Sequence, residues 1–435
     1  MIIRDMDSII GGDNSRKDAI GIIEAGIKAS LVENLMSGLI EEGVINAGSS
    51  RYDLGEYARV FVVGFGKASA SMALFLEENL GEYIEGGVVI SKRDPGCRRI
   101  SVLTGSHPIV SDANVRASER LIGYLNDAGE GDIIICLISG GGSALLTKPA
   151  DGVSLEDYVS VSRMLLNSGA SIDEFNAVRK HLDELKGGGL LKYCGKASVL
   201  SLVISDVVGD RLDVIASGPT CPDESTFSDS VRILRDYGLW NKIPESIGRR
   251  LDDGVKGLLS ENPKGGDQSF NRVVNQVIGG NRQARKAALD KAGELGYNTV
   301  DLGEEYGESR TLAAKHARML EGVGKATCLV SGGETSVTLT GSGMGGRNQE
   351  YVLGFLEACK TDFTVCAVDT DGIDGFTDAA GAIADNSLKG HGLDAGEYLS
   401  HNNSHEFFRK TGALVYTGET GTNVNDLRVI LTPKD

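Results

Sequence analysis

Short apolar runs that end abruptly at glycine, serine or aspartate recur along this chain, and they restrict its fold more than any other feature. Val60 to Val63, Gly87 to Ile90, Ile133 to Ile138 and Ser198 to Ile204 are the first four. Each has the length of a strand, and a run without polar alternation is buried on both faces, as in a parallel sheet covered by helices. Helical spacing fills the intervals, over Ala68 to Leu80 and over Asp112 to Ala128, the latter with Ser111 placed as its cap. Ahead of the first run, Ile22, Ile23, Ile27, Leu31, Leu35 and Leu39 predict an amphipathic helix or helix pair within 17–43.

The theme returns later, with Val273 to Ile278, a helix over 282–295, then Asn298 to Leu302, Thr327 to Val330, Phe363 to Val368 and Ala413 to Tyr416. Between the two series, 241–267 is polar, rich in Gly and Lys, and poor in strand pattern. A chain of 435 residues is long enough for two ordinary cores. The expectation is a larger α/β domain over 1–240, a linker region over 241–270, and a smaller α/β domain over 271–435 whose sheet is free to be mixed.

A formal charge of −17 speaks against a general nucleic-acid or anionic-membrane binder, because both need a basic face. A small anionic ligand then needs a few specific cations set against that background. The start of the chain lacks the apolar core of a signal peptide and no run approaches a membrane span, so a cytoplasmic protein is expected. Seven cysteines without a C-x-x-C pair read as reduced core residues.

Two of the apolar runs end alike. Ile133 to Ile138 passes into Ser139-Gly140-Gly141-Gly142-Ser143, and Cys328 to Val330 into Ser331-Gly332-Gly333-Glu334-Thr335. Consecutive glycines at a strand end expose backbone N–H groups, and a helix that follows adds positive charge at its N-terminus. A tight turn is the plain alternative for either copy; the repetition, one copy in each half, points to an anion site.

Familiar nucleotide motifs fail in detail. Val62-Val63-Gly64-Phe65-Gly66-Lys67-Ala68-Ser69 approaches a dinucleotide fingerprint, but Ser69 replaces the third glycine and the next strand closes in Ser91-Lys92-Arg93 without an acid. Gly66-Lys67, Gly195-Lys196 and Gly324-Lys325 are all followed by alanine, which excludes a P-loop. Lys67 still stands at a strand top, where its ammonium reaches either a cleft or plain solvent. Asp206 and Asp210 follow a strong strand, at a usual place for a magnesium ligand or a base, although turn-forming aspartates compete with that reading. Ser217-Gly218-Pro219-Thr220 adds hydroxyls and a small-residue turn.

In the second half, Gly345-Gly346-Arg347-Asn348 sets a permanent guanidinium beside free amides at a helix start, apt for carboxylate or phosphate; a hairpin tip is the alternative. The acidic stretch Asp369-Thr-Asp371-Gly-Ile-Asp374-Gly375 is no EF-hand, since Ile373 and Ala380 fall at ligand positions, and it either caps the next helix or holds magnesium through water. His107 and His181 read as structural, and no Gly-x-Ser-x-Gly elbow supports a serine hydrolase.

Taken in order, Gly64-Phe-Gly-Lys67-Ala-Ser, Ser106-His-Pro108, Leu137-Ile-Ser-Gly-Gly-Gly-Ser-Ala-Leu145, Asn176-Ala-Val-Arg-Lys-His181, Ser205-Asp-Val-Val-Gly-Asp210, Ile215-Ala-Ser-Gly-Pro-Thr220, Ser331-Gly-Gly-Glu334, Gly345-Gly-Arg-Asn-Gln-Glu350 and Asp369-Thr-Asp-Gly-Ile-Asp-Gly375 resemble the two-domain glycerate kinases whose C-terminal half is called the MOFRL domain. The likeness spans almost the whole chain.

The resemblance implies a larger Rossmann-like domain with a parallel sheet sandwiched by helices, a smaller α/β domain, and an active site in the cleft between them. It implies ATP and Mg2+ as cofactors and transfer of the γ-phosphoryl group to D-glycerate, at the 2-hydroxyl, giving 2-phosphoglycerate. Lys67 and Arg347 match the family's cleft cations and are expected to stabilise charge; with Ser106, His107 and Asn348 they are expected to hold the substrate. Gly140, Gly141, Gly142 and Ser143, with Ser217, Gly218, Pro219 and Thr220, are expected at the nucleotide phosphates. Asp206 is expected at magnesium or the acceptor hydroxyl, with Asp210 as a second metal residue. The partners implied are small molecules, without nucleic acid or membrane, for a monomer or homodimer. Two alternatives stand beside this: a nicotinamide-dependent hydroxypyruvate reductase, opposed by the broken fingerprint, and a non-catalytic sensor of a nucleotide or sugar acid.

Overall fold

The computed structural model describes residues 2–4, 6–11 and 13–434. The chain divides into two compact units, one formed by Met36–Ile278 and the other by Met1–Leu35 together with Gly279–Asp435.

The first unit is built on six strands: β1 (Val60–Phe65), β2 (Ile84–Ser91), β3 (Ile100–Thr104), β4 (Ile133–Ser139), β5 (Ser198–Ile204) and β6 (Val273–Gly279). Their order is β3-β2-β1-β4-β5-β6, with β3 to β5 all parallel through β2, β1 and β4. The chain therefore builds outward from β1 in one direction, then reverses at β4. Every residue of β1 and β4 is buried, which is what their unbroken apolar sequences require. A helical layer of Leu155–Asn167, Ile172–His181, Phe227–Asp236 and Glu245–Val255 has its own core around Tyr158, Leu165, Phe227 and Leu234.

Two expected boundaries differ from this arrangement. The helix Glu245–Val255 lies inside the expected 241–270 linker, yet it buries Ile247 and Leu251 in that helical core. Val273 to Ile278, expected to open the second domain, is instead the edge strand of the first unit's sheet.

The second unit has a mixed sheet of β7 (Asn298–Glu304), β8 (Thr327–Gly333), β9 (Thr364–Asp369), β10 (Gly381–Asp385), β11 (Leu414–Val415) and β12 (Asp426–Leu431), in the order β7-β8-β12-β9-β10-β11. Only β7 and β8 pair in parallel. The expected opening helix runs from Asn14 to Ser30, where Leu31 turns to an extended conformation. It belongs to this second unit and not to 1–240, because Ile20, Ile22, Ile23 and Ile27 are buried in one core with Val365, Ala367, Leu427 and Val429.

Candidate active site

The carboxyl ends of four strands in the first unit lead into polar segments: Gly66-Lys67 after β1, Gly105 to His107 after β3, Gly140 to Ser143 after β4, and Ser205-Asp206 after β5. In an open parallel sheet, ligands bind outside the carboxyl ends where the strand order reverses, here between β1 and β4. The two segments at that point are stitched together. Lys67 N–H donates to Gly140 C=O at 2.8 Å, and Ala68 N–H donates to Ser139 Oγ at 3.0 Å.

The glycines after β4 are required by what surrounds them. A β-carbon on Gly140 would collide with the Asp206 carboxylate, and one on Gly142 would lie 2.7 Å from Ala216 Cβ. Gly141 has φ +80°, and a β-carbon there would stand 3.0 Å from His107 Cδ2 and 3.3 Å from Lys67 Cγ. Lys67, His107 and Asp206 thus converge on one backbone loop. Among the described residues, no acceptor takes the N–H groups of Gly141, Gly142 or Ser143. A backbone cradle with no side chain in it and open donors fits phosphate oxygens. The helix that follows, Gly142–Leu145, is a single turn, so the expected helix charge adds little; the amides themselves provide the donors.

Buried polar side chains hold this loop from behind. Arg179 Nη2 donates to Ser143 C=O at 2.7 Å and Arg179 Nε to the Tyr158 hydroxyl at 3.0 Å. Lys186 is fully buried; its ammonium donates to Leu146 C=O at 2.7 Å and pairs with buried Asp183 at 2.9 Å, and burial lowers it to about 8 despite that carboxylate. Neither Arg179 nor Lys186 was singled out from the sequence; the signal was the run Arg179-Lys180-His181 ending a helix and followed by Gly187-Gly188.

The turn expected to supply a second phosphate contact is largely committed elsewhere. Ser217 Oγ lies 2.9 Å from Ser143 Oγ and donates to Asn176 Oδ1 at 2.9 Å. The N–H groups of Ser217 and Gly218 donate to Val214 and Ile215 carbonyls, and Pro219 has no N–H. Thr220 is buried, its hydroxyl bonded to Asn275 Oδ1 and Ser201. Within Ser217 to Thr220, only the Ser217 hydroxyl stands at the loop. Ala216 and Ser217 hold left-handed backbone, φ 51° and 63°, which non-glycine residues adopt at a cost.

Ser106 is also tied locally, with its N–H on Asn114 Oδ1 at 3.1 Å and its hydroxyl 2.8 Å from Ser111 Oγ. Asp210 lies on the exposed turn Val208–Asp210, away from the glycine loop's contacts. Among the described residues, no group of three or more His, Cys, Asp or Glu is arranged to hold a metal ion.

In the second unit Arg347 opens the helix Arg347–Ala358, as its position after two glycines predicts. Its guanidinium is surrounded by acids: Nε donates to Asp426 at 2.8 Å, Nη2 to Asp369 at 2.7 Å, and Nη1 pairs with Glu334. Burial alone would favour loss of its proton, but the three carboxylates outweigh that and hold it charged. Burial, with Asp371 beside it, pushes the Asp369 carboxyl well above its ordinary range. Asn348 is fully buried; its side-chain amide donates to Asp374 and Asp426, while its Oδ1 has no hydrogen-bond partner among the described residues. Asp374 caps the helix begun 27 residues before it, accepting from Asn348 N–H at 3.0 Å and Gln349 N–H at 2.9 Å. Within that acidic cluster Asp374 thus caps the preceding helix and not the next one, while Asp369 pairs with Arg347. Asp426, the acid that joins Arg347 to buried Arg428, was missed because it opens a strand whose sequence carries an arginine.

Residues 18–252 match a family model described as a domain of unknown function, and residues 327–426 match the MOFRL family. Among curated relatives, a glycerate 2-kinase of Pyrococcus horikoshii is 39% identical over 86% of this chain and 88% of its own length. A protein of Agrobacterium vitis named putative hydroxypyruvate reductase is 37% identical over 86% of this chain and 87% of its own. The crystal structure of a glycerate kinase from Thermotoga maritima superposes with a TM-score of 0.84 at 36% identity, covering 96% of this chain and 99% of that one. The chain therefore belongs to the two-domain glycerate kinase family with a C-terminal MOFRL domain.

Proposed function

We propose that the protein transfers the γ-phosphoryl group of ATP to the 2-hydroxyl of D-glycerate, giving 2-phosphoglycerate and ADP. The observation that carries this reading is the convergence of Lys67, His107 and Asp206 on an open-amide glycine loop at the reversal point of the parallel sheet. The relatives named as glycerate kinases supply the acceptor. Phosphoryl transfer needs two anions held in line and the developing charge neutralised. The amides of Gly141, Gly142 and Ser143 serve the nucleotide phosphates, and Lys67 neutralises charge on the transferring group. The acceptor oxygen forms the new bond to phosphorus, the bond to the β–γ bridging oxygen breaks, and the hydroxyl proton leaves to a carboxylate or water. Asp206 is the carboxylate beside the loop. Magnesium bound by one or two carboxylates plus nucleotide phosphates and water is usual, so Asp206 with the phosphates fits that ion, and the ion supplies charge neutralisation when bound.

A hydroxypyruvate reductase is disfavoured by local structure. The first amide after the β1 turn, Ala68 N–H, is committed to Ser139 Oγ, and Ser69, at the third-glycine position, donates to Leu137 C=O at 3.0 Å. Incubation with Mg-ATP and D-glycerate tests the proposal: enolase alone should consume the product. A requirement for added phosphoglycerate mutase would replace the 2-hydroxyl by the 3-hydroxyl, and NADH oxidation with hydroxypyruvate in place of ATP-dependent turnover would overturn the reading.

A further inference from the structure

A cavity of about 330 Å³ opens beside the glycine loop, wholly within the first unit. Gly141, Ser143 and Ala144 form one side of it, so it is continuous with the proposed phosphate cradle. The rest of its wall is mostly apolar, from Ile109, Val159, Leu166 and Phe175. Two of these, Ile109 and Leu166, keep 65% and 62% of their surface exposed at its mouth, a cost that a monomeric fold has no structural reason to bear in one place. Arg179 connects cavity and loop, its guanidinium lying 4.9 Å over the Phe175 ring while its Nη2 holds Ser143 C=O. Arg163 lines the same space, and no ion pair among the described residues engages it.

We propose that this cavity receives the base and ribose of the nucleoside triphosphate whose phosphates lie on Gly141 to Ser143, an inference that rests on the kinase reading above. An apolar slot with a few polar groups at one end suits a planar heterocycle attached to a charged tail. A three-carbon hydroxy acid fits poorly, because its oxygens can pair only at polar groups such as His107, Arg163 and Arg179, and the apolar surfaces of Val159 and Leu166 would stay uncovered. It is also much smaller than the space. The arginines add favourable faces for a base, by stacking, and charge near the phosphates.

Two variants test the assignment. Ser162, which lines the cavity, becomes Trp in Ser162→Trp and fills it. The expected result, by calorimetry, is Mg-ADP binding weakened at least about tenfold with inorganic triphosphate binding unchanged; the KM for D-glycerate stays at the wild-type value. Leu166→Trp alters an exposed position and places a reporter at the mouth, beside the chain's single native tryptophan as background. Its emission is expected to shift on adding Mg-ADP or adenosine and to ignore D-glycerate and inorganic triphosphate. A response to D-glycerate alone, or unchanged Mg-ADP affinity in a folded Ser162→Trp, overturns the proposal. Failure of the kinase reading shows elsewhere, as wild-type protein that makes no phosphoglycerate while these binding results stand.

Discussion

After β4, Gly140 to Ser143 leave the sheet as a turn, whereas the glycines after Val330 stay inside β8, where Gly332 pairs with Leu427 and Gly333 with Asp426 of β12. The first loop meets Lys67 and is braced by Arg179 and Lys186; the second runs into Glu334, and the cations beside it, Arg347 and Arg428, are already engaged by carboxylates. A strand ending in Ser-Gly-Gly is therefore not by itself an anion site. What decides is whether the neighbouring strand takes up the amides and which sign of charge the surrounding elements deliver. In β8 the glycines serve packing: a β-carbon on Gly332 would run into the Asn281 side chain, and Gly333 holds φ +94° against Glu305.

Arg347 is a counter-ion to three carboxylates, and Lys67 is the cation proposed for the reacting phosphate; mutation should separate the two. Arg347→Ala leaves buried Asp369 without its guanidinium and Asp426 with Arg428 alone, and the expected loss of stability is about 3–5 kcal/mol by denaturant unfolding, partly restored in Arg347→Lys. Unchanged unfolding would break this half of the comparison. Lys67→Ala should act mainly on the reaction, with turnover lower by about 10²–10³ under saturating substrates. Wild-type turnover in that variant would remove Lys67 from the reaction.

A smaller effect follows from Asp374, whose carboxyl burial raises from 3.8 to about 6. A raised folded value means that its stabilising contribution is full below the unfolded pKa and is lost as pH climbs through the folded one. Between about pH 4 and 6 wild type should therefore lose stability relative to Asp374→Asn, by about 3 kcal/mol at most. The difference in unfolding free energy between the two proteins, followed across that range, checks it; a flat difference contradicts it. Least in size, Gly141→Ala should raise the KM for ATP roughly tenfold, because the new methyl meets His107 and Lys67 in a left-handed backbone that alanine resists.

Much of this was legible in the sequence. Among the strands read as apolar runs, β1, β4, β5 and β8 are each buried along their apolar length, and the glycine loop and Lys67 stand out because glycine and lysine interrupt such runs. What escaped depends on distant partners. β12 reads poorly because Arg428 sits in its middle, and that arginine is buried only through Asp426, Gly332 C=O and the Tyr351 ring. β10 is Gly-Ala-Ile-Ala-Asp, too small in its side chains to resemble a strand. The apolar stripe of Asn14–Ser30 announces a helix but not which core it enters; its contacts with the helix Asn281–Glu294 lie more than 250 residues away. Asn348 shows a related limit, since the sequence offers a free amide and the fold supplies Asp374 and Asp426 to take its N–H donors.

Titration of Mg-ADP into wild type, Gly141→Ala and Glu334→Gln by calorimetry tests most directly whether the loop after β4, and not the one after Val330, is the phosphate site. The expected result is weakened binding in Gly141→Ala and wild-type affinity in Glu334→Gln. Binding that survives in Gly141→Ala but changes severalfold or more in Glu334→Gln would contradict the account.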